Sequence, residues 1–140
     1  MNIVEEVNIT AKTILLIDNE FSVREVVGLC LQDLAGWNVV VADSPLTGLQ
    51  KVALAFPDAI VLDLSMCDLN NFEFMQILRN NPETQSIPVI LLSAKARWLD
   101  SYILREYQIA GVIRKPFDPV KLPVQIAMLL GWNLKSESDY

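Results

Sequence analysis

The sequence predicts an α/β fold, a right-handed, doubly wound parallel sheet of five strands with helices on both faces. Three observations predict it. One short apolar run, Ala59 to Leu62 before Asp63, lacks the in-out alternation of a half-exposed strand, so it reads as a strand buried on both faces of a parallel sheet, and four more apolar runs are strand candidates. Segments with helical apolar spacing separate them, and βα alternation of this kind builds parallel sheets with right-handed crossovers. Four of the runs also end at polar or charged residues, and open sheets bind their ligands at that edge.

The first strand is Thr13 to Ile17, running into Asp18-Asn19-Glu20. Ser22-Val23-Arg24-Glu25 has the spacing of a capping box. Val23, Val26, Val27, Cys30, Leu31 and Leu34 follow at helical spacing, and Cys30 is expected in the core. Gly36 ends that helix, and Trp37 to Ala42 is the second strand. Ser44-Pro45 is an N-cap with proline at the first helical position. Leu46, Leu49, Val52, Ala53 and Phe56 form the apolar stripe of the second helix.

The central strand, Ala59 to Asp63, places four apolar residues before one carboxylate. A loop from Leu64 to Asn71 precedes a helix over Phe72 to Arg79, with Phe74, Met75 and Leu78 on one side. Pro88 introduces the fourth strand, Val89 to Leu92, ending at Ser93. A helix from Ala96 to Tyr107 carries Leu99, Tyr102 and Ile103. Gly111 to Ile113 is a short last strand, ending at Arg114-Lys115-Pro116. Asp118-Pro119 reads as a cap, but Pro123 lacks a helical donor, so the last helix starts near Pro123 and ends near Gly131. Trp132 is expected to pack the final turn.

The totals narrow the function. A chain of 140 residues fits one domain with its own core, and 52% hydrophobic content excludes a disordered chain. A net charge of −6 argues against direct nucleic-acid binding. The absence of histidine removes Ser-His-Asp and Cys-His catalysis, imidazole metal sites and a phosphohistidine donor. Two cysteines fit reduced thiols rather than a disulfide framework. The longest apolar runs fall short of a membrane span, and the N-terminus lacks a signal pattern, so a cytoplasmic location is expected.

The strand ends collect Asp18, Asn19, Glu20, Asp63, Ser93 and Lys115. Carboxylates, a hydroxyl and an ammonium together suit one task, holding a hard cation and a phosphoryl group. Magnesium takes oxygen ligands and uses few protein carboxylates. A carboxylate can act as nucleophile and form an acyl phosphate, while lysine and metal stabilise the transferring charge.

These residues sit in four stretches, Ile14 to Glu20, Ile60 to Met66, Val89 to Lys95 and Lys115-Pro116-Phe117. In that order the chain resembles the receiver domain of two-component response regulators, of the single-domain, chemotaxis-regulator-like kind, over roughly Lys12 to Leu130. The resemblance implies a flavodoxin-like (βα)5 sheet of strand order 2-1-3-4-5, an order for which a receiver protein is itself a standard example. It divides the chain into an N-terminal extension (1–11), a receiver domain (12–132) and a C-terminal tail (133–140).

The resemblance also implies roles. Asp63 would accept a phosphoryl group from a histidine kinase or phosphotransfer protein. Asp18, Asn19, Asp63 and the backbone carbonyl of Ser65 would hold Mg2+. Ser93 would hydrogen-bond the phosphoryl group, and Lys115 would pair with Asp63 and then with that group. The Lys115–Pro116 bond would be cis. Glu20 is read as a surface or cap residue, with a second role of reaching the metal through water.

Four positions depart from the family pattern. Asn19 stands where a coordinating aspartate is usual. One negative charge is lost, at a cost of roughly 4 kcal/mol at most for unit charges about 4 Å apart near a protein surface. Magnesium dependence in the millimolar range is therefore expected. Val112 stands at a switch position, paired functionally with Ser93, where an aromatic ring is common. Cys67 replaces a proline and is expected to be inert, and Asn71 replaces a glycine. Trp98 and Tyr102 belong either to the core or to a partner surface.

The sequence thus reads as a single-domain regulator. It would signal through altered protein binding, without an output domain, turnover catalysis, or nucleic-acid or membrane contact. The main rival is a pseudo-receiver that binds partners without phosphorylation, motivated by Asn19 and Val112. An aspartate-nucleophile phosphatase needs a second acid where Ser65 stands. A flavin-binding relative needs a hydroxyl-rich loop that is missing after the first strand.

Overall fold

A strand with no solvent-facing row needs helices above and below it, and the sheet finds them on both sides. The computed structural model describes residues 11–63, 69–94 and 101–133. The elements are β1 (Thr13–Ile17), α1 (Phe21–Ala35), β2 (Asn38–Ala42), α2 (Pro45–Ala55), β3 (Ala59–Asp63), α3 (Leu69–Asn80), β4 (Val89–Ser93), α4 (Ser101–Glu106), β5 (Ile109–Arg114) and α5 (Leu122–Leu130). The five strands are parallel in the order β2-β1-β3-β4-β5. Among the described residues no helix is long and apolar enough to cross a membrane.

The period of two survives inside the apolar runs. Ile14, Leu16, Val61, Ile90 and Leu92 join α1 and α5 residues such as Leu31 and Ile126 in one core. Leu15, Ile17, Ile60, Leu62 and Leu91 join Val52, Phe74, Met75 and Leu78 of α2 and α3 in the other. Each such side chain, fully buried, contributes about 1.5–3 kcal/mol. Where α2 crosses β1 the approach is tight. A Cβ at Gly48 would lie 2.5 Å from Ile17 Cδ1.

Local signals hold at most termini. Ser44 Oγ accepts the Thr47 amide at 3.2 Å, as an N-cap should. Gly36 and Gly131 adopt the left-handed conformation that closes α1 and α5. α5 starts at Leu122, next to Pro123, as the missing proline donor demands. Trp132 packs edge-on against Trp37, ring centroids 5.3 Å apart, beneath Lys12.

Several sequence expectations need correction. Ser22 does not cap α1, which begins at Phe21 with Glu20 at the cap position and no side-chain cap bond. Asp18 turns the chain instead, its Oδ1 accepting the Glu20 amide at 2.9 Å. Val26, Leu34, Leu46 and Phe56 are exposed, although each lies on a predicted apolar stripe, and Ala53 is exposed with them. These stripes are wider than the sheet surface that each helix covers. Cys30 is half-buried for the same reason. β5 is longer than Gly111 to Ile113, because Ile109 already pairs with Val89 across an irregularity in the ladder. α3 extends beyond its expected limits at both ends. Cys67, Lys95, Trp98 and Leu99 lie outside the described residues, as do the side chains of Asn71, Tyr102 and Ile103.

Candidate functional site

Three strand ends meet at the C-terminal edge of the sheet. Asp18 follows β1 directly, and its amide donates to the Ala42 carbonyl at 3.0 Å, which holds it beside the end of β2. Asp63 is the last residue of β3 and lies opposite Leu92 in the β4 register. Ser93 ends β4, and its carbonyl accepts the Lys115 amide at 3.0 Å. That bond turns Lys115 back over the site just before the cis Lys115–Pro116 peptide. Asp18, Asp63 and Ser93 are the buried polar residues among those described.

Lys115 Nζ stands 2.6 Å from Asp63 Oδ1. Asp18 shares the pocket with them, and its pKa is raised from 3.8 to about 6. Burial is the largest cause. The hydrogen bond from the Glu20 amide opposes it, the Asp63 charge adds to it, and Lys115 relieves part of it. Asn19 and Glu20 are exposed at the rim. Glu20, Val23, Ala94, Lys115, Pro116 and Phe117 line an adjoining cavity of about 450 Å³. Ser65 lies outside the described residues. Val112 is half-buried against the core that contains Leu91.

The oxygens of this pocket are under-satisfied. Asp18 Oδ2 and both Asp63 carboxylate oxygens are buried without a hydrogen-bond partner, so the Lys115 contact acts as a charge pair. An ionised carboxylate only accepts, and leaving it buried and unmatched is costly. A divalent cation held by Asp18 and Asp63 would remove that cost. Among the described residues no group of three or more His, Cys, Asp or Glu side chains gathers to hold a metal. The two acids suit an ion that uses few protein carboxylates, as magnesium does.

One contributor escaped the sequence reading. Arg24 Nη1 donates to the Asp18 carbonyl at 2.7 Å, and its guanidinium lies 5.7 Å from the Phe21 ring centre. The available signal was a cation in the first turns of the helix that directly follows the acids.

Comparison with known proteins agrees with this geometry. The sequence model of the response regulator receiver domain matches residues 14–127. The chain is 30% identical to the response regulator Rre1 of Synechocystis over 84% of its own length and 51% of that protein. It is 29% identical to the phosphate regulon transcriptional regulatory protein PhoB of Pseudomonas aeruginosa, over 85% of this chain and 52% of PhoB. It thus spans about half the length of these curated relatives. Among solved structures, the chemotaxis response regulator CheY4 of Vibrio cholerae superposes with a TM-score of 0.76 at 27% identity. That match covers 86% of this chain and 99% of CheY4. The chain belongs to the response regulator receiver family of two-component systems, and its sheet order is the flavodoxin-like one.

Proposed function

We propose that the chain is a receiver that takes a phosphoryl group on Asp63 from the phosphohistidine of a kinase or phosphotransfer protein. The observation that carries this reading is the pair of buried carboxylates, Asp18 and Asp63, with under-satisfied oxygens and Lys115 Nζ 2.6 Å from Asp63 Oδ1. An Asp63 oxygen attacks phosphorus, the phosphorus–nitrogen bond breaks, and an acyl phosphate forms while the donor imidazole leaves with the bonding pair. Lys115 first holds the Asp63 carboxylate and then balances charge on the phosphoryl oxygens. Ser93, at the end of the neighbouring strand, would hydrogen-bond a phosphoryl oxygen. Asp18, Asp63, Asn19 and the Ser65 carbonyl would hold Mg2+, which when bound supplies charge stabilisation to the transferring group. Glu20 would support that ion through water.

In this reading residues 12–132 are the receiver, 1–11 an extension and 133–140 a tail. Signalling runs through altered binding to another protein, in the cytoplasm, without direct nucleic-acid contact or turnover catalysis. Readout would rest on Ser93, since Val112 offers no ring to move. A pseudo-receiver that never takes phosphate has no use for two buried acids with under-satisfied oxygens, and no observation favours it.

Intact-mass measurement after incubation with magnesium and acetyl phosphate tests the proposal. The wild-type chain is expected to gain one phosphoryl group and the Asp63→Asn variant none. A wild-type chain that gains no mass from acetyl phosphate or from any phosphorylated donor protein overturns it.

A further inference from the structure

A second polar cavity, of about 240 Å³, opens beside β2, lined by Arg24, Val41, Ala42, Asp43, Thr47 and Lys51. Two cations converge on it. Arg24 uses one N–H on the Asp18 carbonyl at 2.7 Å. Lys51 Nζ donates to the Val41 carbonyl at 2.5 Å, which also blunts the exposed edge of β2. A guanidinium has five donors and an ammonium three, so both side chains keep N–H groups for a further acceptor. Among the described residues neither cation has a carboxylate within salt-bridge distance. Asp43 stands exposed on the rim and pairs with neither. Thr47 Oγ1 accepts from Ser44 Oγ at 3.1 Å, leaving its own hydroxyl proton to donate.

This is a chain of 17 acids and 11 bases. In such a chain, two uncompensated cations and a hydroxyl around one hole form a site of unusual sign. We infer that Arg24, Lys51 and Thr47 form a binding site for a small oxyanion of the phosphate or phosphomonoester class, separate from the Asp63 pocket. Charge-assisted bonds from guanidinium and ammonium to phosphate oxygens supply the affinity. Asp43 opposes the anion and limits that affinity. Arg24 links the two pockets, because the same guanidinium that would meet the anion holds the Asp18 backbone. The inference does not rest on phosphorylation of Asp63.

Amide NMR of the full chain, titrated with inorganic phosphate at constant ionic strength without magnesium, tests it. Saturable shifts at residues 41–51 are expected at millimolar phosphate. Arg24→Gln and Lys51→Gln should each weaken binding about tenfold, the loss of one charged hydrogen bond. Asp43→Asn should tighten it, and Lys115→Ala should leave it unchanged. Lys51→Gln serves as the variant of record, since Lys51 does not touch the Asp18 loop. Shifts that fail to saturate, that titrate with an unchanged midpoint in Lys51→Gln, or that vanish in Lys115→Ala overturn the site. The last result would place phosphate in the Asp63 pocket.

Discussion

Asp18 works against its own surroundings. Burial and the Asp63 charge raise its pKa to about 6, so the folded chain holds that proton more tightly than the unfolded one. The sign follows. The stabilising contribution of this group is complete below 3.8 and is lost as pH rises through about 6. In chelator, the urea midpoint of the wild type relative to Asp18→Asn should therefore fall between these values and level off above them. In the proposed site magnesium would compete with the same proton, so its affinity should rise over the same range. Asn19 sets the other limit. Restoring an acid with Asn19→Asp adds one charge at the exposed rim and should tighten magnesium about tenfold, well under the roughly 4 kcal/mol ceiling for a close pair. Titration calorimetry measures it, and equal affinities would remove the account given for that position.

At the scale of elements, the base of the sheet depends on a cation that no sequence pattern marked. Arg79, at the end of α3, donates to the carbonyls of Tyr107 at 2.8 Å, Gln85 at 2.9 Å, Ile87 at 2.8 Å and Gln108 at 3.3 Å. It ties the entry of β4 and the turn before β5 to one helix. Arg79→Ala should cost about 2–3 kcal/mol, within the range of one or two charged hydrogen bonds, because part of this cluster is solvated. Arg79→Lys should recover little, since an ammonium cannot span four carbonyls. Urea midpoints at unchanged slope read both. Gly48 makes a different point. Gly48→Ala should raise intrinsic helix propensity yet destabilise by about 1–2 kcal/mol, because the new methyl meets Ile17 in a filled core.

At the scale of the molecule, two cores share one sheet and neither closes without the other. Trp37 and Trp132 report only on the α1/α5 side, whereas Phe74 lies wholly on the α2/α3 side. Phe74→Ala should lower the unfolding midpoint by about 3–5 kcal/mol equivalent. The fall should be the same by tryptophan fluorescence in a Trp98→Phe background, which leaves Trp37 and Trp132, and by far-ultraviolet circular dichroism. Separate transitions would mean that the layers unfold independently.

Much of this architecture was legible before any coordinates. The central apolar run without alternation reads as a doubly covered strand, and in a parallel sheet the residue that ends each strand lies at one edge, so Asp18, Asp63, Ser93 and Lys115 were collected from pattern and chain order. Caps at Ser44, Gly36 and Gly131 were local, and they held. Tertiary structure decided what local pattern cannot express. Helical spacing shows which residues share a face, but not how much of that face a neighbour covers, so Leu46 and Phe56 ended in solvent. The Lys115–Asp63 contact, the Arg79 clamp and the meeting of Arg24 with Lys51 each join residues distant in sequence. Their reach depends on how strands and helices pack, and only the folded sheet brings those charges within a hydrogen bond or a shared cavity.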